Sequence, residues 1–175
     1  LLASRKRAPM EVFYREMRRK HGILLEDGRP EGGAWNFDRD NRSRYHSEVP
    51  LPAAYAISND VRDIDAMLAR MGVPTFGSSS SNMLPWPVDR EQSLRMLDAF
   101  CRERLPWFGT YQDAMTTESG ELFHSRLSFS LNTKMLRPRE VIDAAVEAYR
   151  NPPGAPITLQ QTEGFVRQIL GWREY

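Results

Sequence analysis

Small hydroxyl and amide side chains stand among the leucines of residues 122–138, which read LFHSRLSFSLNTKMLRP. The apolar positions with helical spacing are Leu127, Leu131 and Met135. This spacing predicts a helix whose apolar face packs inward. The polar side chains on or beside the beginning of that helix are Ser125, Ser128 and Asn132. Because a helix begins with unpaired N–H groups and partial positive charge, this segment is suited to bind phosphate or another anion.

A purely structural role is the alternative for the same polar residues. Ser125 would then only cap the helix, and Ser128 and Asn132 would face solvent. The local residue types suit both the anion-binding role and the structural role.

Two separate motifs resemble sequences of the photolyase and cryptochrome family. Residues 124–128 (HSRLS) are similar to the Thr-Ser-x-Leu-Ser segment that binds the flavin phosphates in that family. Residues 171–175 (GWREY) are similar to the Trp-Arg-Glu-(Phe/Tyr) signature that follows it. Together with WNFD at 35–38 and YQDAM at 111–115, they resemble the bacterial iron–sulfur branch, which contains prokaryotic (6-4) photolyases and cryptochrome-B-like proteins.

The resemblance implies a flavin site and a lesion site. The residues assigned to FAD by their match to the family are Tyr111, His124, Ser125, Leu127, Ser128 and Arg173. Asn132 is added because of its place on the predicted helix. Trp172 is expected to line the lesion cavity and to act there with Asp113, and Gln112 and Asp113 match the segment that borders the cavity. Core packing of Trp172 and a helix N-cap role for Asp113 are the structural alternatives.

By this resemblance, the intact protein is expected to be a photolyase that repairs UV photoproducts, of the (6-4) type, in DNA. Reduced FAD would pass an electron, driven by light, to a damaged base pair flipped out of the helix. A cryptochrome photoreceptor without repair activity stays open, because both classes share one scaffold. A helical interaction module without flavin is the third alternative. No Ser/His/Asp motif and no set of His, Cys, Asp and Glu with metal-ligand spacing indicates a self-contained hydrolase or metalloenzyme.

The chain is expected to be an internal fragment of such a protein. The family's antenna domain, cluster cysteines, tryptophan relay and second half of the helical domain have no counterpart in these 175 residues. The resemblance therefore implies a [4Fe-4S] cluster and an antenna chromophore whose binding residues lie outside this chain. The chain alone is expected to bind FAD weakly and to be inactive. Within the phosphate motif, His124 stands in place of a common Thr and Phe129 in place of a common Pro.

Composition narrows the partners and the compartment. The 24 basic and 23 acidic residues give a formal net charge of +1, so any nucleic-acid surface has to be local. Cys101 is the only cysteine, which excludes an internal disulfide and a four-cysteine cluster, and its apolar surroundings predict a buried, inert thiol. No apolar run approaches the roughly 20 residues that span a bilayer. We expect a cytoplasmic protein, monomeric when intact.

Segments with 3.6-residue periodicity, separated by Pro and Gly, predict a mostly α fold. Residues 1–38 are predicted to form the end of an α/β antenna domain with its junction, and 39–57 an interdomain linker. Residues 58–175 are predicted to form the first part of a helical FAD-binding domain. The predicted helices begin at Pro9, at Ser58 or Asn59, at Asp89, at Pro138 and at Thr158, in addition to the helix of the central motif.

Overall fold

The computed structural model describes residues 9–78 and 80–175, apart from the side chain of Asp40; the first eight residues of the predicted unit 1–38 lie outside the described part. The α-helices are α1 (Met10–His21), α2 (Arg62–Arg70), α3 (Arg90–Ala99), α4 (Leu105–Tyr111), α5 (Ser128–Asn132), α6 (Pro138–Arg150) and α7 (Leu159–Val166). Two π-helical segments, Phe100–Arg104 and Arg167–Arg173, continue α3 and α7. The two strands of the described residues, β1 (Leu25–Glu26) and β2 (Arg29–Pro30), form one antiparallel hairpin. The predicted mostly α class is confirmed.

Helix α1 ends where its sequence predicts. Gly22 adopts a left-handed φ of +64°, which costs glycine little, and the N–H of Ile23 returns to the Arg18 carbonyl at 3.0 Å. Arg18 is fully buried, although the residues that follow it, Arg19 and Lys20, are exposed. Its guanidinium donates to the carbonyls of Ile23, Leu24 and Trp35, so the helix is fixed to the junction that follows.

One main hydrophobic core joins segments that are distant in sequence. Its members include Tyr14 of α1, Leu97 of α3, Ile142 of α6 and Phe165 of α7. Tyr55, from the predicted linker, packs against the same core. The division at residues 38 and 57 stays a prediction, but the first helix and the later helices share one core.

A π turn lets the helical chain continue through Pro106, a residue that commonly ends a helix. The chain widens over Phe100–Arg104 and continues directly into α4. Pro106 therefore lies in the first turn of α4, where its missing N–H leaves no hydrogen bond unmade.

Of the predicted helix caps at Asn59, Asp89 and Thr158, only that of Asp89 forms. Helix α2 follows Val61 without a side-chain cap, because Asn59 instead bonds the Trp86 carbonyl and the Gln92 side chain, each at 2.8 Å. Its apolar stripe contributes no buried residue. Asp89 does cap α3 by accepting from the Gln92 N–H at 2.7 Å. At α7 the Thr158 side chain makes no cap bond.

Helices α4 and α7 cross closely at two glycines. A Cβ on Gly164 would lie 3.3 Å from the Cα of Gly109, so only small residues permit this approach. The amide of Asn41 fills the crossing: its Oδ1 accepts from Gln160 Nε2 at 2.9 Å, while its buried Nδ2 has no partner among the described residues. The crossing therefore ties the segment after residue 38 to both helices.

A buried carboxylate joins three further parts of the fold. Glu163 of α7 is fully buried and accepts from the Tyr14 hydroxyl at 2.9 Å and from the Phe37 N–H at 3.1 Å. Arg167 Nε lies 3.6 Å from the same carboxylate. Burial raises the pKa of Glu163, and the nearby Arg167 charge opposes that shift. Within the described residues, no helix is long and apolar enough to cross a membrane.

We predict that Gly109→Ala destabilises the fold. The added Cβ would lie 2.8 Å from Asn41 Oδ1 and 3.1 Å from the Gln160 carbonyl, so the crossing must open. Such overpacking costs about 1–3 kcal/mol, measured as the free energy of unfolding in urea. Gly120→Ala is the matched control, because nothing lies within 4 Å of its Cβ position. Equal stability of the two variants would contradict the close crossing.

Candidate functional site

The central motif forms a shorter helix than predicted. Helix α5 spans five residues, and Met135 lies beyond it. The Thr133 hydroxyl donates to the Phe129 carbonyl at 2.8 Å, and Lys134 turns the chain with a left-handed φ of +65°. Leu127 and Leu131 are buried as their spacing predicted, so the helix is fixed by its apolar side.

The hydroxyl groups of the motif differ in exposure: Ser125 precedes α5 and is half-buried, Ser128 is exposed, and the buried Ser130 hydroxyl donates to Ser93 Oγ at 3.0 Å. Ser125 does not cap the helix, since the N-cap position belongs to Leu127; its Oγ accepts weakly from the Leu127 N–H at 3.4 Å. The capping alternative is therefore wrong for Ser125. Ser128 and Asn132 are exposed, as the same alternative expected. Exposed hydroxyls beside the first-turn N–H groups form a set of donors directed at solvent.

His124 precedes these serines in a half-buried position. Burial lowers the pKa of its imidazole, and the negative charge of Asp113 partly opposes that shift. The ring is therefore neutral at pH 7, with one N–H to donate. Its carbonyl accepts from the Tyr55 hydroxyl at 3.2 Å, which fixes the backbone of the motif.

Tyr111 supports the motif by packing. Its buried ring stacks on Phe123 with centroids 5.2 Å apart, and Tyr45 meets it edge-on at 5.8 Å. Leu122 and Ala114 complete this second, smaller cluster. The cluster holds the chain on both sides of residues 112–121.

Gln112 and Asp113 follow the end of α4. Asp113 therefore cannot be a helix N-cap at this place, and that alternative is wrong. Its carboxylate is 57% exposed and lies 3.1 Å from Arg42 Nε. Gln112 Oε1 accepts from Gln168 Nε2 at 3.2 Å, which connects the end of α4 to the second π segment.

Arg42 links Asp113 to a charged network. Its guanidinium also lies 2.9 Å from Asp38, and Asp38 pairs with Arg167. Although burial raises it, the pKa of Asp38 is lowered overall by the hydrogen bond and charge of Arg167. Arg42 adopts a left-handed φ of +75°, an uncommon conformation for a residue with a Cβ. The network reaches from the buried Glu163 to the exposed Asp113.

Trp172 is exposed, although it stands seven residues after Phe165 and three after Ile169, both of which are buried. A π turn takes more residues than an α turn, so the seventh residue no longer returns to the same face. Its ring is consequently available to a ligand, with a residue exposure of 56%. The neighbouring Arg173 pairs with Glu174. Gly171 lets α1 approach, since a Cβ there would lie 2.9 Å from Met10 Sδ.

Comparisons with known proteins indicate the same family as these motifs. A family model described as "Deoxyribodipyrimidine photo-lyase-related protein" matches residues 1–83. The chain is 40% identical over 175 residues to a (6-4) photolyase of Agrobacterium fabrum (strain C58), covering 99% of this chain and 34% of that protein. The resemblance to the photolyase family that the motifs indicated is confirmed by these two similarities. It spans about a third of the length of this curated relative.

A second relative is an uncharacterized protein of Acanthamoeba polyphaga mimivirus. It is 38% identical over 65 residues, which are 37% of this chain and 48% of that protein. Both comparisons concern the sequence, so the assignment of individual site residues rests on the motifs and on the geometry above.

Only part of the predicted photolyase site is joined by direct contacts. Gln168 connects Gln112 to the turn that carries Trp172. Among the described residues, no hydrogen bond or ion pair joins the serines of the phosphate motif to Trp172 or Arg173. The described part also contains no group of three or more His, Cys, Asp and Glu side chains that could hold a metal ion. Burial raises the pKa of the Cys101 thiol to about 12, in keeping with the predicted inert cysteine.

The sequence patterns did not indicate that Arg42, Asp38 and Arg167 are part of the site. Asp38 and Arg42 have the spacing of an ion pair, four residues apart, and this signal was available within the charged run. The contacts with Asp113 and Arg167 join residues more than 70 positions apart, and no local pattern reports them.

We predict that Trp172→Ala lowers the free energy of unfolding less than Phe165→Ala does, and that the two losses differ by at least about 2 kcal/mol. The buried Phe165 ring contacts Phe100 and Phe108, and its removal leaves a cavity that costs about 3–5 kcal/mol. Removal of the Trp172 ring leaves mainly space that is already exposed to solvent. Urea unfolding of both variants measures the difference. Equal losses of unfolding free energy in the two variants would show that Trp172 packs in the core.

Proposed function

We propose that the intact protein is a flavin-dependent DNA photolyase, which repairs UV photoproducts of the (6-4) type by light-driven electron transfer from reduced FAD. The observation that carries the proposal is the 40% identity to a (6-4) photolyase along nearly the whole chain. The exposed Trp172 and Asp113 support it, because they leave an aromatic ring and a carboxylate available to DNA, and the half-buried Gln112 lies beside Asp113.

The residues of the phosphate motif fit the requirements of a flavin pyrophosphate. Ser125 and Ser128 offer hydroxyl donors, and the neutral His124 offers one N–H. Leu127 anchors the turn in the core, so that these donors are presented by a fixed backbone. Tyr111 acts in this proposal by packing beneath the segment, and Asn132 extends the donor set by one amide. FAD, when bound, supplies the light-driven redox chemistry.

The opposite part of the site belongs to the lesion and to the flavin ring. The exposed face of Trp172 can stack on a flipped base, as aromatic side chains do on unpaired nucleotides. Arg173 carries a permanent charge that stabilises a reduced, anionic flavin. Gln112 can donate to or accept from a damaged base, and the Asp113 carboxylate, which lies 3.1 Å from Arg42 Nε, can accept from one.

Further components belong to the same proposal. A [4Fe-4S] cluster and an antenna chromophore would be held by residues outside this chain, since Cys101 is buried and inert. UV-damaged DNA is the proposed partner, and the intact protein is proposed to be a cytoplasmic monomer.

Two measurements on the purified full-length protein separate this proposal from its alternatives. A protein without flavin absorbance would be a helical interaction module. A flavoprotein that leaves (6-4) photoproducts unrepaired under blue light would be a photoreceptor. Flavin absorbance together with light-dependent repair is the expected result.

We predict that Ser125→Ala combined with Ser128→Ala lowers FAD retention in the full-length protein. Each hydroxyl lost from a charged phosphate costs roughly 1.5–3 kcal/mol, so the dissociation constant should rise by about tenfold or more for each. Flavin absorbance after dialysis measures retention. Ser43→Ala with Ser58→Ala, two exposed serines away from the motif, is the control. Unchanged occupancy in the motif variant would reject the phosphate assignment.

We predict that Asp113→Asn lowers repair by about tenfold, as expected for one lost hydrogen bond to a charged group, while FAD content stays normal. The matched control is Asp98→Asn, an exposed aspartate that likewise pairs with an arginine, Arg102. Repair is followed with a synthetic oligonucleotide that contains one (6-4) photoproduct. If Asp113→Asn loses flavin instead, the carboxylate has a structural role.

A further inference from the structure

An Asp-Gly dipeptide forms the tip of the β1–β2 hairpin. Asp27 and Gly28 lie between the two strands, in which Glu26 pairs with Arg29. Both residues of the tip have a left-handed φ, +47° for Asp27 and +75° for Gly28, as a two-residue turn of type I′ requires. No other aspartate and no asparagine of the sequence precedes a glycine. Asp27 is therefore the one aspartate whose following peptide nitrogen has no side chain beside it.

This tip is open to solvent. Asp27 and Gly28 are both exposed, and nothing lies within 4 Å of the position that a Cβ on Gly28 would occupy. Neither the Asp27 carboxylate nor the Gly28 N–H makes a hydrogen bond or an ion pair within the described part of the chain. A cavity of about 630 Å³, lined by residues of the hairpin and by Gly32 and Gly33, lies beside the tip. Both reacting groups are consequently free of competing contacts.

An aspartate side chain can react with the peptide nitrogen that follows it. The nitrogen of Gly28 attacks Cγ of Asp27, and one carboxylate oxygen leaves as water with the amide proton and a proton from solvent. The product is a five-membered succinimide ring. Water then opens this ring: attack at Cγ restores aspartate, whereas attack at the α-carbonyl carbon gives isoaspartate, in which the main chain runs through Cβ and Cγ. The sequence of steps needs no oxidant, metal or cofactor.

The reaction requires the Asp27 main chain to rotate, and local opening of the hairpin permits this rotation. Each strand has two residues, and a hairpin of two strands alone is marginally stable in water. Pro30 has no N–H that could add a hydrogen bond to the pair. The tip can therefore open up to Leu25 and Pro30 while the rest of the chain stays folded.

The base of the hairpin is fixed to the core. The Glu31 N–H donates to the Leu24 carbonyl at 2.9 Å, and the same carbonyl accepts from the buried guanidinium of Arg18. The buried Glu31 side chain accepts from the Tyr149 hydroxyl at 2.9 Å. These contacts hold the hairpin against α1 and α6. A change at the tip is thus presented on the surface of a folded protein.

We propose that Asp27 is a modification site, at which the folded protein forms isoaspartate through a succinimide with Gly28. Isoaspartate adds one carbon to the main chain, so the turn no longer fits the pairing of Glu26 with Arg29. Its free α-carboxylate is the group that an S-adenosylmethionine-dependent isoaspartyl methyltransferase esterifies, and an enzyme of this class is the partner that fits the modified tip. The modification requires neither flavin nor DNA, and it is independent of the proposed photolyase function.

The test is the ageing of the full-length protein in neutral buffer at physiological temperature. A purified isoaspartyl methyltransferase with labelled S-adenosylmethionine counts the isoaspartates, and mass spectrometry with electron-transfer fragmentation locates them. Asp27→Glu should lose methyl acceptance, because glutamate would have to close a six-membered ring, which forms much more slowly. Asp27→Asn should accept methyl groups earlier than the wild type and release ammonia in place of water. Asp98→Glu, a matched exchange at an exposed aspartate that precedes an alanine, should leave methyl acceptance unchanged.

The location of the isoaspartate decides the proposal. Isoaspartate at residue 27 of the aged wild type, and its loss in Asp27→Glu, support it. Aged wild type without methyl acceptance overturns it, and so does equal modification of Asp113, which is exposed and precedes an alanine. Isoaspartate that forms only in urea also overturns it, because the folded turn would then be protected. A full-length protein that is modified at Asp27 but lacks flavin would refute the proposed photolyase function and leave the modification site supported.

Discussion

The fold depends on one buried carboxylate. Glu163 has no exposure to water, and an uncompensated charge in such a place is costly. Its oxygens are satisfied by Tyr14 from α1 and by the backbone of Phe37 from the junction. Because the donors come from segments more than 120 residues away, α7 cannot keep this carboxylate buried unless the first helix and the junction are in place. Burial of one acid therefore couples the beginning and the end of the chain.

The Glu163 carboxylate is the buried end of a route of neighbouring charged side chains that reaches Asp113 at the candidate site. Arg167 lies beside it and pairs with Asp38, and Arg42 bridges Asp38 to Asp113 at the surface. Positive and negative side chains alternate along this route, and the hydrogen bond and charge of Arg167 lower the pKa of Asp38 within it. The position of Asp113 is thus fixed by the packing of helices that do not themselves contact a ligand. Exposed ion pairs are weak when isolated, but here the inner partners are buried and ordered.

The sequence was sufficient for local features and insufficient for those that depend on distant partners. Periodicity and end signals predicted α1 and α6, because propensity and burial agree there. They do not report the exposure of Trp172, since a π turn has no sequence signature in a pattern counted at 3.6 residues per turn. Asn59 was given a capping role that it does not have, because Gln92, 33 positions away, competes for its amide. The motif residues were found by resemblance, but the contact of Arg42 with Asp113 required the fold.

Helix α2 differs from the other α-helices because it contributes no buried residue. It has nine residues, none of them buried, and isolated helices of fewer than about 12 residues are marginal in water. Its flanks are held by the pairing of Asn59 with Leu84 and by the Val61 N–H on the Ser81 carbonyl. Amide exchange in this helix therefore proceeds through local opening rather than through global unfolding. A protease can cut here while the core of α4, α6 and α7 stays intact, so the first nick would report local and not overall stability.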